Sequence, residues 1–184
     1  MYYILPAEQY KRLVFYQNIG TISVALGSLY LNYTGQYKSM LLTMFIYSFL
    51  DLPMVHAWDM FLHHGLVVAL YLSFDHTLVI PAYYPELTAM GNVELSSIFL
   101  AINSMISEKY ITVPSLVNSL NRGAFIVTFA KYRIWDLYWA LIYENKFSEY
   151  LLVKVTLYIF YSLNVYWFYL VLRKLKKMLL PRPQ

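Results

Sequence analysis

Asp59-Met60-Phe61-Leu62-His63-His64 sets a carboxylate and two adjacent histidines where a long apolar run begins. Only four histidines occur in the 184 residues, and two of them are neighbours here. An Asp, Lys or Arg at the centre of a membrane-spanning helix costs roughly 2.5–3.5 kcal/mol, so such groups persist when paired, hydrated or functional. This stretch therefore marks both the start of a helix and the first place to look for chemistry.

The composition around it fits a membrane bundle better than a soluble domain. The chain is 60% hydrophobic and 13% charged, with a mean hydropathy of +0.48. Soluble domains carry about 25% charged residues. Twenty tyrosines and four tryptophans suit the headgroup level, where an apolar body and a polar tip are both satisfied. With no cysteine, disulfides, thiolate metal sites and cysteine nucleophiles are excluded.

Six apolar segments are predicted to be spans, roughly at 13–33, 39–57, 60–79, 87–106, 114–142 and 149–172, because in lipid a helix is the only open structure that satisfies its own backbone. Pro6, Glu8, Lys11 and Arg12 precede the first, which carries Gln17, Asn18 and Asn32 and reads as a retained span rather than a cleaved signal. Asp75 and His76 interrupt the third, with Pro81 and Pro85 beyond. The short connections predict one all-α domain over 1–184. Lys11 and Arg12 before the first span, and Arg173, Lys174, Lys176, Lys177 and Arg182 after the last, place both termini on the cytosolic side. The tail reads as a headgroup anchor, and no nucleic-acid partner is expected. One sequon, Asn32-Tyr33-Thr34, falls on the opposite side.

Polar residues inside the spans are the candidate site. Tyr47 and Asp51 are four apart, so the phenol can meet the carboxylate on one helix face. Asp59 and His63 repeat that spacing, so Asp59 can orient His63 and leave its second nitrogen for proton transfer. His64 points about 100° away, and His56 lies seven residues before His63. Glu94 sits in the polar fourth span with Asn92, Ser96 and Asn103. Arg133 can pair with Asp136 on its own helix, or with Glu94 or Asp51 across helices. Four histidines are too few for the histidine set of a membrane di-iron enzyme. Zinc on His63, His64 and a carboxylate has no supporting spacing motif, so no metal is expected.

The order Tyr47-x-x-x-Asp51, Asp59-x-x-x-His63-His64, Glu94-x-Ser96-x-x-Phe99, Phe129-x-x-x-Arg133 and Asn164-x-x-Trp167-Phe168 resembles the TLC-domain family over about 40–174. That family includes ceramide synthases and translocation-associated membrane proteins. The resemblance implies an endoplasmic-reticulum multi-pass protein whose helices enclose a cavity for a long acyl chain. It makes His63 and His64 the active-site pair of an acyl transfer from acyl-CoA, with Asp59, Asp51 and Glu94 as partners. Tyr47, Ser96, Arg133, Asn164 and Trp167 become binding residues. No cofactor is implied beyond acyl-CoA as substrate. The second His-Asp motif of ceramide synthases is missing: Asn92-Val93-Glu94-Leu95-Ser96 stands in that region. The chain therefore looks closer to the small, non-ceramide-synthase branch.

Three functions follow as expectations. The first is a lipid-handling protein that influences membrane lipid composition. The second is a lipid acyltransferase using His63 or His64. The third is a non-enzymatic escort or insertion factor for membrane proteins.

Overall fold

The computed structural model describes residues 7–55, 57–73, 84–143 and 151–179. These are helical, with no strand among them. His56, Asp75, His76, Pro81 and Arg182 lie outside the described residues, as do the side chains expected at the 144–149 turn.

The helices are α1 (Ala7–Tyr33), α2 (Tyr37–Asp51), α3 (Trp58–Ser73), α4 (Tyr84–Asn92), α5 (Glu94–Ser107), α6 (Ser115–Thr128) and α7 (Leu151–Leu179). Only Val93, itself in helical conformation, separates α4 from α5. α6 runs on through π-helical stretches at Phe129–Asp136 and Tyr138–Tyr143. The result is six rods, close to the six segments predicted from hydropathy. Among the described residues two helices are long and apolar enough to cross a membrane: Tyr84–Ser107, of 24 residues, and Leu151–Lys177, of 27. α2 and the described part of α3 are shorter, at 15 and 16 residues.

Local chemistry sets the reversals. Between α1 and α2, Gly35 adopts a left-handed φ of 72°, the Gln36 amide donates to the Leu31 carbonyl and the Gly35 amide to that of Asn32. This pair of bonds closes a helix end on a residue without a Cβ. Lys109 ends α5 in the same way at a φ of 60°, and it presents Tyr110, whose hydroxyl donates to the Lys11 carbonyl.

The π-helical stretches have a reason in the sequence. Asn121, Phe125, Phe129, Arg133, Leu137 and Leu141 are all buried, each four residues after the last. An α-helix turns about 100° per residue, so a spacing of four overshoots by about 40° and drifts about 200° over five steps. Widening the turn toward i→i+5 bonding holds the whole stripe on one side. The fifth rod is therefore under-wound where its inward residues recur at four.

The rods close into a ring. α1 packs on α2, α2 on α3, α3 on α7, α7 on the 129–136 stretch, α6 on α5, and α5 back on α1. One half of the ring is filled by an apolar plug that includes Met40, Leu87, Met90, Leu137, Leu157 and Phe160. α4 contributes to the plug by packing on α1, α2 and both π-helical stretches. The other half is hollow.

The plugged half is tight at one crossing. Asn32 is buried, and its Nδ2 donates to the Thr88 carbonyl at 3.1 Å and to Asn92 Oδ1 at 2.9 Å. The amide that would carry a glycan at the Asn32 sequon is thus bonded inside the bundle. A Cβ at Gly91 would meet Asn32 Cγ and Met40 Sδ, both at 2.6 Å. Gly91→Ala is expected to cost about 1–3 kcal/mol, as overpacking does, and to lower the midpoint of thermal unfolding followed by circular dichroism in detergent. An unchanged midpoint would show that the crossing is loose.

Candidate functional site

The hollow half of the ring is a cavity of about 610 Å³, lined by side chains from all six rods. That is within the range of roughly 300–1,000 Å³ typical of small-molecule sites. Tyr47, Asp51, His63, His64, Glu94, Ser96, Arg133 and Trp167 all face it. Residues predicted to act together from scattered positions are thus brought together. Asn164 stands just behind, fully buried and bonded to Arg133.

These groups form a polar belt resting on the plug. Met44, Val93, Leu137 and Phe160 belong to the plug. Each lies within about one turn of a belt residue: Ser48, Ser96, Arg133 and Asn164 respectively. Beyond the belt the cavity walls are largely apolar, broken by the Asn18–Ser104 pair, with Val14, Leu100, Phe125, Leu170 and Val171 leading toward the end where α1 starts and α7 finishes.

Arg133 is the most tightly held member. It is 5% exposed, with Nε donating to Ser96 Oγ at 2.6 Å, Nη2 to Ser97 Oγ at 2.7 Å and Nη1 to Asn164 Oδ1 at 3.2 Å. Asn164 is aimed by its own helix, since its Nδ2 donates to the Phe160 carbonyl one turn back at 2.8 Å. Phe129 packs its ring 5.5 Å from the guanidinium carbon. The expected ion pairs are replaced: Asp136 pairs with Lys131 instead. Neither Glu94 nor Asp51 comes within ion-pair distance of Arg133 among the described residues. Glu94 acts on Arg133 only through space. In the wide turn Arg133 faces inward and Asp136 is carried around the rod.

The histidine assignments also change. His64, buried, faces Asp51, with Nε2 3.4 Å from Oδ2. Asp51 Oδ1 accepts from Gln17 Nε2 at 3.1 Å. Asp51, rather than Asp59, is therefore the carboxylate that stands beside a histidine. Asp59 does not orient His63: its Oδ2 accepts from Trp167 Nε1 at 2.7 Å and its Oδ1 from the Met60 amide at 3.1 Å. The expected Tyr47–Asp51 bond is likewise replaced, because the Tyr47 hydroxyl meets Thr21 Oγ1 at 2.7 Å. His63 stacks on Phe160 at 5.2 Å and stands edge-on to His64 at 5.4 Å. Its Nδ1, like that of His64, is buried without a hydrogen-bond partner among the described residues.

Sequence reasoning missed the contribution of α1. Gln17, Asn18 and Thr21 face the cavity, and Asn18 Nδ2 donates to Ser104 Oγ at 3.1 Å. Their spacing of one and four on a single helix was the available signal. Ser97, beside the expected Ser96, was the other omission. Among the described residues no three His, Asp or Glu side chains converge as a metal site. Compared with known proteins, the chain matches no family model, no curated protein and no solved structure.

Trp167→Phe keeps a ring beside His63 but removes the N–H that Asp59 accepts. A hydrogen bond to a charged group contributes about 1.5–3 kcal/mol when buried, so a loss of about 1–2 kcal/mol is expected at this half-buried pair. Chemical denaturation of the detergent-solubilised protein reads it. No loss would mean that solvent replaces the indole at Asp59.

Proposed function

We propose that this is a multi-pass protein of the endoplasmic reticulum membrane, with six crossings and both termini cytosolic. In this reading it is a TLC-like bundle, nearest the small non-ceramide-synthase branch, that holds a long-chain lipid and so influences membrane lipid composition. The observation that carries the reading is the cavity: apolar walls over a polar belt. On α1 its lining runs from Tyr10 to Val24, about 21 Å at 1.5 Å per residue. Half of a hydrocarbon core is about 15 Å, so one extended acyl chain fits along that wall. The outer surface supports a lipid setting as well. Leu26, Phe49, Leu50, Leu120, Val127 and Leu152 are all exposed on it, and apolar area that extensive calls for an apolar surrounding.

A second reading, acyl transfer from acyl-CoA, is favoured by the Asp51–His64 pair beside the partnerless Nδ1 of His63. In that reaction a histidine nitrogen removes the proton from a lipid amine or hydroxyl as it attacks the acyl carbonyl. The bond to sulfur breaks, and the coenzyme A thiolate leaves and takes up the proton. Alternatively the imidazole itself attacks and carries the acyl group as an acyl-imidazole, which the acceptor then cleaves.

The lipid reading is tested by mass spectrometry of lipids retained through purification in a short-chain detergent. Wild type is expected to retain a long-chain lipid. Val14→Trp, which fills the wall, should retain about tenfold less, equivalent to about 1.4 kcal/mol of binding. Equal retention by both would overturn a lipid in this cavity. For acyl transfer, incubation with a long-chain acyl-CoA should give a coenzyme A release rate, or a covalent acyl adduct, lost in His63→Ala or His64→Ala. Wild type that yields neither product rules the reaction out.

A further inference from the structure

The belt contains a cation that touches no anion among the described residues, although Asp51 and Glu94 face the same cavity. Arg133 has five N–H donors and uses three of them, all on neutral oxygens of Ser96, Ser97 and Asn164. Taking a guanidinium out of water costs several kcal/mol, and neutral acceptors return only part of that. No carboxylate among the described residues lies within ion-pair distance of it. Glu94 faces the same cavity without reaching it. A planar guanidinium braced on one side and open to a cavity on the other is suited to bidentate capture of a carboxylate or phosphate.

We propose that Arg133, braced by Ser96, Ser97 and Asn164, is the seat for the anionic head of the cavity's long-chain ligand. The head is a carboxylate or a phosphate. This rests on the reading of the cavity as a lipid site and adds which lipids it takes. Because the seat stands directly on the plug, the head lies at the closed end. The hydrocarbon tail then runs along Val14, Leu100, Phe125 and Leu170 toward the open end. That end is rimmed by Lys11, Lys109 and the basic cluster at 173–177, against Glu8, which already holds Arg12 at 2.8 Å, and Glu108. A positive rim raises the local concentration of anions at the opening, and Arg133 supplies the partner at the end of the path. A neutral head of the same length would leave the guanidinium as it was.

Three ligands of one chain length separate the terms: oleate, oleoyl lysophosphatidate and oleyl alcohol, each titrated against the whole protein in nanodiscs of neutral lipid. Wild type is expected to bind at least one of the two anions about tenfold tighter than the alcohol, the difference of about 1.4 kcal/mol in binding free energy. Whichever anion binds tighter identifies the head. In Arg133→Gln the ratio of anion to alcohol affinity should fall toward one. In Ser97→Ala, which removes a single brace and leaves the charge, it should fall part of the way, so the test stands even if Arg133→Gln fails to fold. Equal wild-type affinities for all three ligands overturn the anion seat while leaving a lipid cavity. A ratio that survives in both variants overturns it too. Binding of none of the three overturns the lipid reading itself.

Discussion

The buried guanidinium of Arg133 fixes how the last three rods sit against one another, and the shape of the cavity depends on it. Its three hydrogen bonds reach two other rods, α5 through Ser96 and Ser97 and α7 through Asn164. Neither of those rods is next to the fifth rod for any reason of hydropathy alone. Apolar packing would tolerate a rotation or slide of a few ångströms, whereas a fork of N–H donors with three fixed acceptors does not. The wide turn of the 129–143 stretch serves the same constraint. It keeps Arg133 in line with the apolar stripe that packs against the plug, so the charge and the packing specify one orientation.

The cavity and the plug divide the work of the bundle. The plug supplies buried apolar side chains from the start of α2, the end of α3, α4 and the start of α7, and it can hold the rods whether or not the hollow half is filled. The hollow half then tolerates what a core does not: Asp51, His64, Glu94 and Arg133 facing one space. Polar groups in such a place are stabilising only when satisfied. From α1, Gln17 bonds Asp51, Thr21 meets the Tyr47 hydroxyl and Asn18 bonds Ser104.

Much of this was legible in the sequence, and the reasons for the rest are specific. Hydropathy placed the described ends of the six rods to within about seven residues, because the length of an apolar run is a local property. The identity of the belt was also legible, since a carboxylate, histidine or arginine inside an apolar run stands out against its neighbours. Its pairings were not. Spacings of four put Tyr47 with Asp51 and Asp59 with His63 on shared faces, yet Tyr47, Asp51 and Asp59 bond to other rods and His63 meets only rings there. Same-face spacing sets direction, and only the relative heights of the rods decide contact. The register of α1 against α2, which gives Gln17 to Asp51 and Thr21 to Tyr47, has no signature in either helix alone. Arg133 with Asp136 failed differently: an α-helical turn brings residues three apart together, whereas the recurrence of buried residues at four widens that turn.

The order in which the rods close the ring has a consequence for assembly. α1, α2 and α3 can pack as they are made, and α5 can join α1, but α3 has no neighbour on its far side until α7 arrives. The last rod in the chain is the one that turns an open crescent into an enclosure. Contacts between such distant parts of a sequence form late and slowly. Until they form, the belt is an open trough, exposed along the side that α7 will cover. The enclosed site is then a product of the final step of folding, and its first occupant can be trapped by that step rather than admitted afterwards.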